Sequence, residues 1–193
     1  MSDTTTGFLK VLDPDDHSAG GGTASAIAGS MASALVAMVA RLSIVPDAPM
    51  PEESYRRISE EAADLSKRLL AGGEEDSRAF SAILTALRLP KTSESEKKAR
   101  TAAIQQSTIL AAQVPMKNAE RCARVMELVT ELRGRSNPRA ASDLECGAYL
   151  AHAGLLGCVA NVRANLPSIR DPAVVAELEA RIHTLAGPLG THI

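Results

Sequence analysis

Three consecutive glycines, Gly20-Gly21-Gly22, open a segment from Ser18 to Ala40 that holds no charged residue and few large side chains. Backbone N–H groups at such a helix start are bare, and they can receive an anion or a carbonyl oxygen. The small residues that follow, from Thr23 to Ala40, let a second helix approach closely. Other polar residues stand out against their surroundings. Asp143, Asn161 and Asn165 punctuate an apolar stretch, Asp76 follows Glu74-Glu75, and Lys91 follows Pro90 in a loop. Lys97, Lys98 and Arg100 make a basic cluster that can hold an anionic tail on a substrate. Each also has a plain structural reading. Asp143 can stabilise a helix start, worth about 0.3–1 kcal/mol. Asn161 and Asn165 can bridge helices, Asp76 can be a solvated N-terminal acid, and the lysines a solvated face.

The elements that must position these groups all read as helices. Helical spacing covers 22–43, 51–71, 74–87, 94–113, a continuation past Pro115 to 133, 143–166 and 172–185. Pro51 with Glu52 and Glu53 suits a helix start, and Gly72-Gly73 suits a stop. Ser93 with Glu96, and Ser142 with Glu145, have the spacing of capping boxes. Pro115 predicts a break or kink. No alternating strand appears. The expectation is an all-α, single-domain antiparallel bundle of long helices, dimeric, with residues 1–17 as a polar lead-in (a short helical piece at Phe8 to Leu12), 18–185 as the domain and 186–193 as a tail. On the 143–166 helix, Asp143 and Asn161 are separated by five turns, about 27 Å. One helix cannot bring them together; a two-fold, antiparallel pairing of this helix with its copy could.

Composition narrows the function. The chain has 193 residues and a net charge of -2, which argues against a general nucleic-acid binder. Two Phe, two Tyr and no Trp leave the core to Ala, Leu, Val, Ile and Met. The uncharged run is long enough for a membrane span. Its Ser, Thr and Gly content and the acids before it predict a buried helix and no membrane partner instead. The start of the chain lacks the pattern of a signal peptide. Three cysteines, none in a CxxC, suggest a reduced, cytoplasmic protein, with Cys146 and Cys158 as small core residues. The histidines show no ligand spacing, so no metal is expected. The glycine run follows no strand and is not a dinucleotide fingerprint.

Four segments in order are Ala19-Gly20-Gly21-Gly22-Thr23, Asp76 to Phe80, Leu89-Pro90-Lys91-Thr92 with Glu96 and Arg100, and Asn137 to Asp143 followed by Asn161-Val162 and Asn165-Leu166. Together they resemble the cyclodeaminase/cyclohydrolase family of folate enzymes, over about residues 15–172. Two positions depart from the family pattern: Ala19 stands where Pro is usual, and Ser136 where Gly is usual, with Pro138 after the loop Asn, which implies a stiffer loop. The resemblance implies an all-helical homodimer acting on a tetrahydrofolate one-carbon unit near the subunit interface, with the folate as substrate and no further cofactor. Carried over, Gly20, Gly21, Gly22, Thr23 and Arg100 would bind substrate with Asn137, Asn161 and Asn165. Asp143 is the first choice for a catalytic carboxylate and Asp76 the second, with Lys91 donating a proton or binding an oxygen.

Both family reactions pass through a tetrahedral carbon between N5 and N10. In cyclohydrolysis water adds to the cationic methenyl carbon and N5 leaves. In cyclodeamination N10 attacks a formimino carbon and ammonia leaves, with a formiminotransferase as a separate partner. A chain standing without a transferase half favours the first. A silent folate-binding or helical interaction protein is the third reading.

Overall fold

The computed structural model describes residues 19–186. Five helices follow one another: α1 Gly21–Leu42, α2 Glu52–Leu87, α3 Glu94–Leu132, α4 Ala141–Asn165 and α5 Pro172–Ala186. Short 3-10 turns at Pro138–Ala140 and Leu166–Ser168 flank α4. No strand occurs among the described residues, as expected from the pattern. The proposed lead-in at 1–17, with Phe8 to Leu12, and the tail from 187 lie outside the described residues.

Helix α1 is the central element, packed against α2 on one side and α4 on another. It is long and apolar enough to cross a membrane, but more than half of that stretch is buried inside the protein. Its serines are hydrogen-bonded into the neighbours. Ser33 Oγ donates to the Ala62 carbonyl at 2.7 Å, and Ser30 Oγ to that of Ser66 at 2.8 Å. These bonds remove the cost of burying hydroxyls, about 1–3 kcal/mol each if left unpaired. Val36, Val39, Tyr55, Ile58, Leu69 and Met116 fill the centre of the core.

Two expected breaks do not occur. Gly72-Gly73 does not stop a helix; α2 runs through both for 36 residues. Glycine costs about 1 kcal/mol inside a helix, yet here both are buried and their lack of a side chain is used. A Cβ on Gly72 would collide with the Asn118 side chain, and Gly73 lies against Thr23 and Ala26 of α1. Pro115 likewise sits inside α3, which continues for 39 residues. Proline cannot donate to the carbonyl four residues back, Ala111, and such a site costs ~3 kcal/mol or more in isolation. Asn165 Nδ2 of α4 supplies the missing donor to Ala111 O at 3.2 Å.

Of the two expected capping boxes, the one at Ser93 and Glu96 forms in full, with Glu96 N donating to Ser93 Oγ at 3.2 Å and Ser93 N to Glu96 Oε2 at 2.8 Å. The other does not. The 3-10 turn at Pro138–Ala140 leads directly into α4, whose N-cap is Ala140, so Ser142 lies already inside the helix. Cys146 is a further correction. It is exposed on α4, whereas Cys122 and Cys158 are buried.

Candidate active site

The first polar centre lies where α1 begins. No acidic residue occupies the first turn of α1, and its N-cap, Gly20, has no side chain to offer. Asp76 of α2 takes that position from outside the helix. Thr23 gives it a backbone hydrogen bond and sets its Oγ1 3.4 Å from Asp76 Oδ2 and 3.3 Å from the Gly73 carbonyl. Gly22 makes this possible: a Cβ there would stand 2.5 Å from Asp76 Oδ1 and closer still to Oδ2. The glycine run therefore faces a carboxylate of its own chain, which occupies part of the donor set that would otherwise receive an anion.

Burial pushes the Asp76 carboxyl above its ordinary value, and the hydrogen bonds from Thr23 offset that only in part. Beneath it lie the buried thiols. The Cys158 thiol is itself pushed up, first by its hydrogen bond to Cys122 and then by burial, so it stays protonated and inert.

Asn161 completes this end. Its Nδ2 donates to the Gly157 carbonyl at 2.8 Å, and a Cβ on Gly21 would lie 3.2 Å from that nitrogen. Asn165 Nδ2 donates to Asn161 O at 2.9 Å as well as to Ala111 O. Gly20, Gly21, Gly22, Thr23, Asp76 and Asn161 are thus gathered in one place, with Asn165 one turn further along α4.

The second centre lies at the other end of α1, about 33 Å away at 1.5 Å per residue. The Asn137 backbone N–H donates to Ser43 Oγ at 2.8 Å, and its Nδ2 donates to Leu42 O at 2.9 Å. Its Oδ1 accepts from the Arg139 N–H at 3.0 Å. The amide is therefore committed to closing the end of α1 and shaping the loop. Asp143 is half-buried in the first turn of α4 nearby. Within one subunit it is not brought to Asp76 or Asn161.

Lys91 is exposed in the α2–α3 loop, about 16 Å along α2 beyond Asp76. Arg100 donates to Leu87 O at 3.1 and 3.3 Å, closing the end of α2. Lys97 pairs with Glu94 at 2.6 Å. Sequence reasoning gave no weight to Ser43, which pins Asn137, or to Asn118. The latter is fully buried with Nδ2 unpartnered among the described residues and Oδ1 accepting from Arg121 Nη1 at 2.8 Å. Its helical spacing from Val114, Pro115, Cys122 and Val125 was the available signal. No cluster of metal-ligating side chains occurs among the described residues.

The described residues form a helical domain whose central helix begins in glycines facing a half-buried carboxylate and an amide. The particular family follows from comparison with known proteins. The sequence profile of the formiminotransferase-cyclodeaminase family matches residues 4–184, and the chain belongs to that family. A methenyltetrahydrofolate cyclohydrolase from Methylorubrum extorquens is 32% identical over 97% of this chain and 89% of its own length. Formimidoyltransferase-cyclodeaminases from Sus scrofa and Mus musculus are 30% and 28% identical over 92% and 93% of this chain. The chain spans only 33% of either. The crystal structure of a formiminotetrahydrofolate cyclodeaminase from Thermotoga maritima superposes with a TM-score of 0.83 at 24% identity, covering 93% of this chain and 86% of that one, which establishes the shared fold.

Proposed function

We propose that the protein is a folate one-carbon enzyme, a methenyltetrahydrofolate cyclohydrolase that converts 5,10-methenyltetrahydrofolate and water to 10-formyltetrahydrofolate. The observation that carries an enzymatic reading is Asp76, a carboxylate held at the glycine-rich start of α1 with its pKa raised by burial. A raised pKa suits a group that must accept a proton from water and return one to a departing nitrogen. Hydrolysis is preferred to deamination because the relative matched over nearly its full length carries the cyclohydrolase name. The formimidoyltransferase-cyclodeaminases match over a third of theirs.

In this reading water adds to the cationic methenyl carbon, and Asp76 takes the proton released. N5 then leaves and receives that proton, while the hydroxyl on the former methenyl carbon releases its own proton to solvent and becomes the formyl carbonyl. The N–H groups of Gly21 and Gly22 and the Asn161 amide bind the substrate's polar edge. Asp143 stabilises the cationic bridge electrostatically, and the partner copy supplies it. α1 and α4 expose Met31 and Tyr149, the latter 71% accessible, together with Leu156. Such a face suits burial against a second copy. The contacts of Gly21 with Asn161 and of Gly147 with Ala32 and Leu35 support an antiparallel α1/α4 layer. A two-fold axis across that layer would set the Asp143 end of one subunit on the Asp76 end of the other. Lys91 and Arg100 then act on the substrate only through the assembled dimer.

The test is a paired assay. Methenyltetrahydrofolate absorbance should decay faster than its uncatalysed hydrolysis, with no ammonia released from 5-formiminotetrahydrofolate. Ammonia release alone would favour the cyclodeaminase, working with a separate formiminotransferase. Neither activity would leave a silent folate-binding protein.

A further inference from the structure

We propose that the Thr23 hydroxyl is a two-position donor that follows the charge of Asp76. It donates to Asp76 Oδ2 while the carboxyl is ionised, and turns to the Gly73 carbonyl while the carboxyl holds a proton. This role rests on the hydrolytic reading above and deepens it. Thr23 becomes a positioning residue for the proton transfer, in place of the substrate contact that the family resemblance implies.

Thr23 Oγ1 stands 3.4 Å from Asp76 Oδ2 and 3.3 Å from the Gly73 carbonyl oxygen. A hydroxyl ordinarily closes on an acceptor oxygen to about 2.5–3.0 Å. It also has only one proton to give. An oxygen held beyond that range from two acceptors at once is shared between them. Buried hydroxyls elsewhere on α1 are committed: Ser33 and Ser30 donate to carbonyls at 2.7 and 2.8 Å. The rest of Thr23 is fixed. Its N–H is bonded to Asp76, and its Cγ2 methyl lies 3.6 Å from where a Cβ on Gly73 would stand. These contacts hold χ1 of the β-branched side chain, so rotation of the O–H bond is the freedom that remains. Thr23 is buried, which keeps bulk water from competing for that proton.

Few other groups govern charge at this spot among the described residues. α1 carries no charged side chain from Gly21 to Ala40. On α2, Glu75 is half-buried beside Asp76, and Glu74 pairs with Arg78 at 3.5 Å. α3 and α4 bring the buried thiols of Cys122 and Cys158, the latter held protonated. In the hydrolysis Asp76 takes a proton from the attacking water and returns it to N5. Its charge is lost in the first step and regained in the second. A donor locked on Oδ2 stabilises the ionised form alone. A hydroxyl that turns to Gly73 O releases the neutral carboxyl and offers it a lone pair. It turns back as the proton leaves for N5. Thr23 keeps its own proton throughout, and the proton transferred is the one from water.

The experiment follows the Asp76 carboxyl and the Gly73 carbonyl by carbon-13 NMR across pH on the full-length protein. Wild type, Thr23→Val and Thr23→Ser are compared, with melting temperature recording that each is folded. In the wild type the Gly73 carbonyl resonance should titrate with the same midpoint as the Asp76 carboxyl. In Thr23→Val, where a methyl replaces the hydroxyl, the Gly73 response should vanish. The Asp76 midpoint should rise there, because the ionised form loses a donor. Thr23→Ser should restore both. A Gly73 resonance that stays flat in the wild type overturns the two-position donor, and so does one that still titrates in the Val variant. Kinetics ties the hydroxyl to turnover. Thr23→Val should lower kcat about tenfold, the worth of one bond to a charged group, with KM little changed. The acid limb of kcat/KM should move upward. A raised KM with unchanged kcat makes the hydroxyl a substrate contact and overturns the positioning role. A wild type without hydrolytic activity defeats the enzymatic reading instead, and the NMR titration still decides what the hydroxyl does.

Discussion

The two ends of α1 differ in what their polar groups are committed to. At the C-terminal end, Ser43 and Asn137 spend their hydrogen bonds on backbone, closing the helix and freezing the loop. At the N-terminal end, glycines leave the backbone open, and the group brought against it is a carboxylate with a raised pKa. One end is built as a frame that presents exposed charge. The other stores an ionisable group where ionisation is costly. In the proposed reading, proton chemistry belongs at the second, and the first supplies position.

The largest effect expected from breaking this contrast is at Asp76. Asp76→Asn keeps the shape and still accepts from Thr23, but cannot move a proton. The turnover number should fall by about 10²-fold or more. A near-normal kcat in that variant would reduce Asp76 to a helix cap.

Asp143→Asn should lower kcat by a similar order while KM and melting temperature change little. The contrast is sharpened by mixing. If the two carboxylates come from different copies, dissociating and reassociating Asp76→Asn with Asp143→Asn subunits should restore about a quarter of wild-type activity, since half the dimers carry one intact site. No recovery on mixing would mean that the two carboxylates do not share a site across an interface.

Gly22→Ala sets a methyl group where the Asp76 oxygens stand. The carboxylate must swing away, so kcat should drop by about 10-fold or more while the helix itself gains propensity. Preserved activity would show that the close approach at Gly22 is not needed.

The smallest effects are on stability. Because the folded-state pKa of Asp76 is raised, the folded protein holds that proton more tightly than the unfolded chain does. Stability from this group is therefore greatest below the unfolded pKa, and is lost as pH rises through the folded one. Asp76→Asn should match or exceed the wild-type melting temperature at neutral pH and lose that advantage in acid. In the wild type, the acid limb of kcat/KM should lie above the ordinary carboxylate range. A limb at the usual aspartate value would deny the burial effect any role in catalysis. Asn165→Ala leaves Ala111 O without a donor and should cost about 1–3 kcal/mol in denaturant unfolding.

The helical class, the capping box at Ser93 and Glu96, the glycine run and the family resemblance were all legible along the chain. Each depends on residues within a few positions of one another, or on an ordered set of short segments. The single helix through Gly72-Gly73 and the unbroken one through Pro115 were not legible. Local propensity argues for a break at both, and the opposing forces come from Thr23, Asn118 and Asn165, far away in sequence. Sequence placed Asp76, Asp143, Asn137 and Asn161 in one set of candidates. Only the tertiary structure divided them between the two ends of α1, because which groups meet is fixed by how α1, α2 and α4 pack and not by spacing along any one of them. The raised pKa of Asp76 belongs to the same category. An aspartate after two glutamates reads as a solvated acid until the burial of Gly22 and Thr23 against it takes the water away.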